Sequence, residues 1–330
     1  MRRGQGAEDN SCCSLSDSHD ARAVAELLGI NFYVLNFEAE FAGLRDYFCR
    51  TYLAGETPNP CVVCNSDLKF GKLLRQARAL GADAVATGHY ARLVPDPRAA
   101  GGVLVGKGAD PEKDQSYFLF SVPAETLPRV LFPVGHLAKP EVRALAREAG
   151  LPVKDKKESS GFCFDLAGDY RCLLQEGEGG AATSARPGLL LDPRGKVLGE
   201  HAGVHNFTVG QRKGLGVSGT KQPLYVVRLD PARNTVVLGE WEDLRASACF
   251  LRDTRWHVPV REGETFACRV RTRYRLPEEP ASVTVLPGNR SRVDFDPPTY
   301  GLAPGQAAVC YDGSLVLGGG WIEPEARPQG

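Results

Sequence analysis

Long apolar stretches are missing from this sequence of 330 residues. No segment approaches the roughly 20 consecutive apolar residues that a membrane helix needs, which argues against a membrane-spanning protein. Residues 1–10 are polar and include no apolar core of a signal peptide, so we expect a cytoplasmic protein. The length leaves room for two or three domains.

An excess of charge of either sign is also missing, because 40 Lys and Arg residues balance 40 Asp and Glu residues. Zero net charge disfavours a protein that coats nucleic acid with a uniformly basic surface, but it leaves room for a local basic patch. The basic, glycine-punctuated loop at residues 207–216 has no Gly-Lys-Ser/Thr sequence, so the pattern does not indicate a Walker nucleotide loop.

The first half of the chain alternates helical and strand signals. Apolar residues recur at helical spacing over residues 21–28, 41–52 and 68–80, and each run stops at or near a glycine. Between these runs, residues 31–37 predict a buried strand and residues 84–87 a short one. Strands that alternate with helices indicate a parallel sheet with helices on both faces.

The composition changes after about residue 166, where glycine and proline become frequent. From about residue 223, short apolar or alternating runs take over, which suggests an all-β barrel or sandwich. With these changes as boundaries, we expect an α/β domain at residues 1–166, a central domain at residues 167–222 and a β domain at residues 223–326.

Ten cysteines are present, and in a long chain without a secretory signal we expect reduced thiols with catalytic, redox or metal-binding functions. Cys61 and Cys64 form the sharpest signal, because two prolines fix an extended entry and a helix is predicted from Ser66. The positive potential at a helix N-terminus lowers the pKa of a thiol. A disulfide, a shared metal and two buried core thiols are the alternatives.

Further candidate residues lie at the ends of predicted elements. Cys163 stands between two phenylalanines, a pattern that by itself favours a core cysteine. Gly88 and His89 end a strand, where ligands of open α/β sheets bind and a glycine admits a base or ribose, although an ordinary turn is the alternative. The Lys-Asp-Gln run at residues 113–115 precedes an apolar helix, and a helix cap is the alternative there.

A basic alternating run lies in the predicted β domain. Because side chains of a strand alternate between its two faces, this run predicts a strand with four arginines on one face. Such a face is either solvated or in contact with phosphates. The arginines are Arg269, Arg271, Arg273 and Arg275.

Together these motifs resemble one family, the bacterial and mitochondrial-type tRNA-specific 2-thiouridylases. The matching stretches follow the family's order and cover nearly the whole chain. They are residues 11–15, 57–70, 86–90, 113–119, 131–135, 160–164, 208–216, 272–275, 304–306 and 317–320.

The resemblance implies a Rossmann-like α/β domain of the ATP-pyrophosphatase (PP-loop) type, a small central domain and a C-terminal β-barrel. It implies a sulfurtransferase that uses ATP and Mg²⁺ to adenylate the C2 oxygen of the wobble uridine of tRNA, after which sulfur replaces AMP. The implied partners are the anticodon arm of tRNA and a sulfur-donor protein, either a persulfide carrier or a cysteine desulfurase. We expect a monomer.

The resemblance also assigns roles to single residues. Cys163 matches the cysteine that receives sulfur as a persulfide, and Cys64 matches the cysteine that assists sulfur release and pairs with Cys163 as a disulfide. Gly88 matches a nucleotide contact. The positions that match contacts with the target base are Asn59, Pro60 and Cys61. The positions that match other tRNA contacts are His89, Lys113, Asp114, Gln115, Arg273, Tyr274 and Gln306.

The sequence departs from the family's pattern at its start. The family opens with a strand and a Ser-Gly-Gly-x-Asp-Ser loop whose backbone wraps the pyrophosphate, and this run does not occur in the sequence. We therefore expect the chain as given to bind tRNA without thiolating it. A tRNA-binding relic without catalysis is the alternative to an enzyme.

A second departure is Cys61, which stands where the family usually has Asp. With Cys64 and Cys163 it makes a set of three thiolates that could hold a [4Fe–4S] cluster, and this is a third hypothesis. We favour the persulfide route, in which no metal binds these cysteines and Cys61 is dispensable.

Overall fold

The computed structural model describes residues 15–156, 186–219 and 222–324. Cys163 and the predicted boundary at residue 166 lie outside these ranges. Within them the chain forms a helical region with a short parallel strand pair, a four-stranded sheet and a closed six-stranded barrel. No helix in these ranges is long and apolar enough to cross a membrane.

Two helices come first, as the sequence predicts. Helix α1 spans Leu15–Leu28 and stops at Gly29, whose φ of 65° is the left-handed conformation that ends many helices. Helix α2 spans Glu38–Leu53, and acidic residues in its first turn stabilise the positive end of the helix dipole. Its buried residues repeat every four positions and share one face; they are Leu44, Phe48 and Tyr52.

The prediction of a buried strand at residues 31–37 is wrong. These residues form no strand, and Tyr33 and Val34 are 67% and 70% exposed. An apolar run becomes a buried strand only where a neighbouring strand pairs with its backbone and other side chains cover it. Within the described ranges, no strand pairs with this segment.

The helix that carries the cysteine pair begins six residues earlier than predicted, at Pro60 rather than Ser66. Helix α3, Pro60–Val63, has proline in its first turn, where the missing N–H costs no hydrogen bond. It continues without a break as a π-helical segment, Cys64–Leu73, and then as helix α4, Leu74–Ala79. Both cysteines therefore lie inside one continuous helix.

The remainder of the helical region includes a β-hairpin that joins the barrel sheet. Strand β1 (Val85–Ala86) pairs in parallel with β4 (Val130–Leu131), and between them the antiparallel hairpin of β2 (Ala91–Pro95) and β3 (Val103–Lys107) extends the barrel sheet. Helix α5, Lys139–Glu148, ends the region before residue 156. Two 3₁₀ turns complete it, Ser116–Leu119 and Ala124–Arg129.

The barrel closes because its first and last strands in sheet order, β13 and β14, also pair with each other. The order around the barrel is β13-β10-β11-β12-β9-β14, and β3 pairs with β14 from outside. The barrel strands are β9 (Arg245–Trp256), β10 (Thr265–Arg271), β11 (Glu279–Leu286), β12 (Arg290–Tyr300), β13 (Ala307–Asp312) and β14 (Leu315–Ile322).

The central sheet has the order β6-β5-β8-β7. Its strands are β5 (Gly188–Leu191), β6 (Val197–His201), β7 (Tyr225–Asp230) and β8 (Thr235–Gly239). Because β5 pairs directly with β8, the boundary predicted between residues 222 and 223 would cut through this sheet. We propose that the central domain extends to the end of β8, and that the 3₁₀ turn Trp241–Leu244 leads into the barrel.

One apolar core is shared by the helical region and the barrel. Val62 and Phe70 of the cysteine helix pack in the same cluster as Tyr117, Tyr311 and Val316, although the last two belong to barrel strands. These side chains are at most 2% exposed. The barrel is therefore part of the support of the cysteine helix.

A buried ion network crosses the same junction. Arg271 contacts the carboxylates of Asp114 at 3.3 Å and Glu278 at 2.7 Å, and Lys107 also contacts Glu278 at 2.7 Å. The side chains of Asp114 and Glu278 are only 5% and 7% exposed. Arg271 and Lys107 supply the positive charges that a carboxylate needs when it is buried away from water.

We expect Arg271→Met to lower the free energy of unfolding by about 3–5 kcal/mol, because it leaves the Asp114 carboxylate buried without its cation. Chemical denaturation followed by circular dichroism measures the loss. Arg292→Met is the matched control, since Arg292 pairs with Asp294 on the exposed surface, and it should change stability little. Equal effects of the two variants would contradict the importance of the buried network.

Candidate active site

The loop before the cysteine helix is held by a turn of the barrel. The backbone N–H of Thr57 donates to the carbonyl of Pro304 at 2.7 Å. The side-chain amide of Gln306 donates to the carbonyls of Thr57 and Pro58, both at 3.1 Å. The loop that presents Asn59, Pro60 and Cys61 is therefore positioned by backbone contacts with residues about 250 positions later in the chain.

Two further features keep this contact close. Gly305 has a φ of 82°, and a Cβ atom built on it would lie 2.8 Å from the Cβ of Glu56, so a larger residue does not fit. Beside it, the guanidinium of Arg252 binds the carboxylate of Glu56 with distances of 2.6 and 3.3 Å. Such a two-point ion pair fixes orientation as well as distance.

Asn59 lies at the inner end of the loop and is 6% exposed. Its backbone N–H donates to the hydroxyl of Tyr47 at 3.3 Å, and its side chain bonds to the hydroxyl of Tyr117. Burial raises the pKa of Tyr117, which keeps this hydroxyl protonated, and it donates to the carbonyl of Ala307 at 2.9 Å. The predicted base-binding residue is thus attached to the shared core.

The two cysteines differ in their positions on the helix. Cys61 lies in the first turn and is half-buried, whereas Cys64 lies one turn later and is 7% exposed. Neither forms a disulfide with another described residue. Because the helix begins at Pro60 and not at Ser66, the positive potential of its N-terminus acts most strongly on Cys61. Cys163, the proposed partner of Cys64, lies outside the described residues.

The backbone at Gly88 borders open space, since a Cβ atom built there would have no atom within 4 Å. His89, the next residue, packs between the rings of Phe70 and Phe132 at centroid distances of 6.0 and 5.8 Å. Burial, with a smaller effect of Lys69, lowers the pKa of His89 to about 3. His89 is therefore neutral near pH 7, and its Nδ1 lies 2.8 Å from Thr87 Oγ1.

Gln115 and Asp114 make their hydrogen bonds inside the protein. The Gln115 side chain accepts from the backbone N–H of Tyr90 at 3.0 Å, and so holds the turn that contains His89. Asp114 accepts from the N–H groups of Gly108 and Ser116, both at 3.1 Å, in addition to its ion pair. Lys113 is half-buried.

The predicted strand face with four arginines is wrong, because β10 ends at Arg271. Arg273 lies beyond the strand, where its guanidinium donates to the carbonyls of Val209 at 2.5 Å and Gly301 at 3.0 Å. It thereby joins the central domain to the barrel, and burial lowers its pKa. Arg269 donates to the carbonyl of Glu278 at 2.5 Å.

Tyr274 lies beside these groups and packs against the ring of Phe118 at a centroid distance of 4.5 Å.

Five of the predicted contact residues make hydrogen bonds or ion pairs that join parts of this protein. They are Gln306, Asn59, Asp114, Gln115 and Arg273. Sequence reasoning missed the residues that hold the loop, Tyr47, Glu56, Arg252 and Pro304. Only Pro304 lay in a recognised motif.

A metal centre is not formed by the described residues, among which no three His, Cys, Asp or Glu side chains come together. The three-cysteine set includes Cys163 and so extends outside them. The open space at Gly88 fits the close approach of a base or ribose to the backbone.

Three family models match the chain. They are the tRNA methyl transferase HUP domain over residues 2–166, the tRNA methyl transferase PRC-barrel domain over residues 181–240 and the aminomethyltransferase β-barrel domain over residues 246–322. The fold is therefore a Rossmann-like HUP domain, a central barrel-type domain and a C-terminal barrel, which confirms the predicted fold class.

Relatives show the family more closely. A protein of Geobacter metallireducens named tRNA-specific 2-thiouridylase MnmA is 48% identical over 321 residues, which are 97% of this chain and 85% of the relative. A protein of Moorella thermoacetica with the same name is 47% identical over 320 residues, 97% of this chain and 88% of the relative. The chain belongs to the family of tRNA-specific 2-thiouridylases.

We expect Gln306→Ala to speed hydrogen exchange of the amides of Thr57, Asn59 and Val62 about thirtyfold, because two hydrogen bonds of about 1 kcal/mol each would be lost from the loop. Exchange followed by mass spectrometry of the peptide around residues 56–64 measures the change. Gln222→Ala, at an exposed position, is the control. Unchanged exchange in Gln306→Ala would show that the barrel turn does not hold the loop.

Proposed function

We propose that this protein is a tRNA 2-thiouridylase, a sulfurtransferase that replaces the C2 oxygen of the uridine at position 34 with sulfur. The observation that carries the proposal is the identity of 45–48% with relatives of that name, such as those of Geobacter metallireducens and Chloroflexus aggregans, over 97–98% of the chain. The geometry supports it, because a rigidly held loop leads directly into the helix of Cys64.

Asn59, Pro60 and Cys61 are proposed to receive the flipped uridine. Gln306 holds the carbonyls of Thr57 and Pro58, and Tyr117 holds the side chain of Asn59. The base would therefore bind to a surface that is already ordered. His89, which is neutral, would contact RNA by hydrogen bonding or stacking rather than as a cation.

The chemistry needs a leaving group at C2, since oxygen there leaves poorly. Gly88, where the backbone borders open space, would hold the nucleoside of ATP. ATP with Mg²⁺ would supply the adenylyl group that makes this oxygen a good leaving group. Cys163 is proposed to carry the incoming sulfur as a persulfide. The Cys64 thiolate would then attack the inner sulfur of Cys163, so that a disulfide forms and the outer sulfur leaves as hydrosulfide. The hydrosulfide would attack the adenylated C2 carbon and displace AMP.

The proposed partners follow from this chemistry. The anticodon arm of tRNA must reach the loop at residues 59–61, and a persulfide carrier or a cysteine desulfurase must load Cys163. Lys113, Asp114, Gln115, Arg273 and Tyr274 remain proposed tRNA contacts, although three of them also hold the protein together. We propose a cytoplasmic monomer.

The cysteines test the proposal. In a chain that carries the family's Ser-Gly-Gly-x-Asp-Ser loop at its N-terminus, Cys64→Ser and Cys163→Ser should each abolish 2-thiouridine formation, because each removes one sulfur from the transfer. Mass spectrometry of nucleosides from tRNA treated with enzyme, ATP and a persulfide donor, a cysteine desulfurase with its cysteine substrate, measures the product. Cys49→Ser, on α2, is the matched control and should keep activity. Activity in Cys64→Ser would contradict the assigned role.

Cys61 separates the persulfide route from a cluster. In the same assay, Cys61→Asp should stay active, because it restores the residue usual in the family and a persulfide route does not use this thiol. Anaerobic reconstitution followed by an iron count is the second measurement. A brown protein with about four irons per chain, lost in Cys61→Ala, would overturn the persulfide route in favour of a [4Fe–4S] centre.

A further inference from the structure

A protein without net charge needs a local positive surface to hold RNA, and three of the four predicted arginines are already bound within the protein. Arg269, Arg271 and Arg273 bind carbonyls and carboxylates of the protein itself, whereas Arg275 is exposed. A cation that already has an anionic or carbonyl partner gains little from a phosphate. Exposed arginines elsewhere are therefore the candidates for further phosphate contacts.

Four exposed arginines line a cleft of about 540 Å³ on the helical region. One wall is the cysteine helix between Ser66 and Arg78, and the other is the segment from Pro123 to Arg129, with the barrel strand β9 adding one residue. We call it the arginine cleft. Its arginines are Arg75, Arg78, Arg129 and Arg255.

Three of these cations have no carboxylate partner among the described residues. In the part of the chain that the structure describes, no carboxylate lies within salt-bridge distance of Arg75, Arg78 or Arg129. The cleft also includes Asp67 and Glu125, so four positive charges face two negative ones. By contrast, the exposed arginines of strand β12 are paired with Glu323 and Asp294.

The arginine cleft lies next to the proposed binding site of the target uridine, on the same helix as Cys64. It begins at Ser66, two residues after Cys64, and follows the helix away from the loop at residues 59–61. Phe70 forms part of its lining and packs on His89 at 6.0 Å between ring centroids. The thirteen residues from Ser66 to Arg78 span about 18 Å along the helix axis, which suits a polymer better than a single small ion.

We propose that the arginine cleft binds backbone phosphates of the substrate tRNA next to the nucleotide that enters the active site. The proposal rests on the proposed function and names a contact surface for its substrate. Arginine is suited to this role, because its planar fork binds phosphate oxygens with two parallel hydrogen bonds. Arg255 uses one of its nitrogens for the carbonyl of Ser121, at 2.9 Å, and keeps its other donors.

The test is the salt dependence of tRNA binding by the full chain, followed by fluorescence anisotropy of a labelled transcript with uridine at position 34. The variant Arg75→Ala/Arg129→Ala removes one cation from each wall of the cleft. We expect binding to weaken on the order of tenfold or more at moderate salt. The slope of log K against log salt should fall by about 0.7 to 0.9 for each lost contact.

The control variant Arg290→Ala/Arg292→Ala removes the same net charge from arginines that are already paired. It should bind tRNA with the slope of the unaltered chain, and thermal unfolding must show that both variants are folded. Equal losses in the two variants, or an unchanged slope in Arg75→Ala/Arg129→Ala, would overturn the proposal.

Two other outcomes are distinguishable. An unaltered chain that binds no tRNA at any salt concentration contradicts the proposed function itself, and the cleft proposal with it. If Arg75→Ala/Arg129→Ala binds tRNA normally but loses binding to polyglutamate, the cleft recognises an acidic protein and not RNA.

Discussion

The contact between the barrel turn at residues 304–306 and the loop at residues 56–58 determines the geometry of the candidate active site. It consists of three hydrogen bonds to backbone groups, and beside it Arg252 of strand β9 forms a partly exposed ion pair with Glu56. The carbonyls of Thr57 and Pro58 and the N–H of Thr57 all find their hydrogen-bond partners in the barrel turn. The barrel supplies this support, so the C-terminal domain helps to position the loop of the candidate active site.

The same physical constraint explains the distribution of charge. Arginines at the domain junctions are bound to groups of the protein itself, as Arg271 with the carboxylate of Asp114 and Arg273 with the carbonyl of Val209 illustrate. Buried cations need such partners, because a cation that loses its hydration without gaining an anionic or carbonyl partner destabilises the folded protein. Positive charge that can still bind an anion is therefore found on the cysteine helix and the segment facing it.

Local patterns predicted the elements whose stability depends on local interactions. Helices α1 and α2 and their terminating glycines follow from apolar spacing and from the freedom of glycine at positive φ. The strand predicted at residues 31–37 failed, because pairing depends on a neighbouring strand that apolar periodicity cannot reveal. The start of the cysteine helix was misplaced because two prolines indicated an extended entry, although Pro60 also fits the first turn of a helix.

The sequence by itself determined the family, the order of the domains and the candidate residues, because motifs are recognised from the order of residues along the chain and not from their contacts. Only the tertiary structure decided what those residues touch. Asp114, Gln115, Arg273 and Gln306 resemble RNA contacts by motif, yet their polar atoms bond to other parts of this chain. The physical reason is that a hydrogen bond depends on the distance between atoms, and distances across about 250 residues are set by folding and not by sequence spacing.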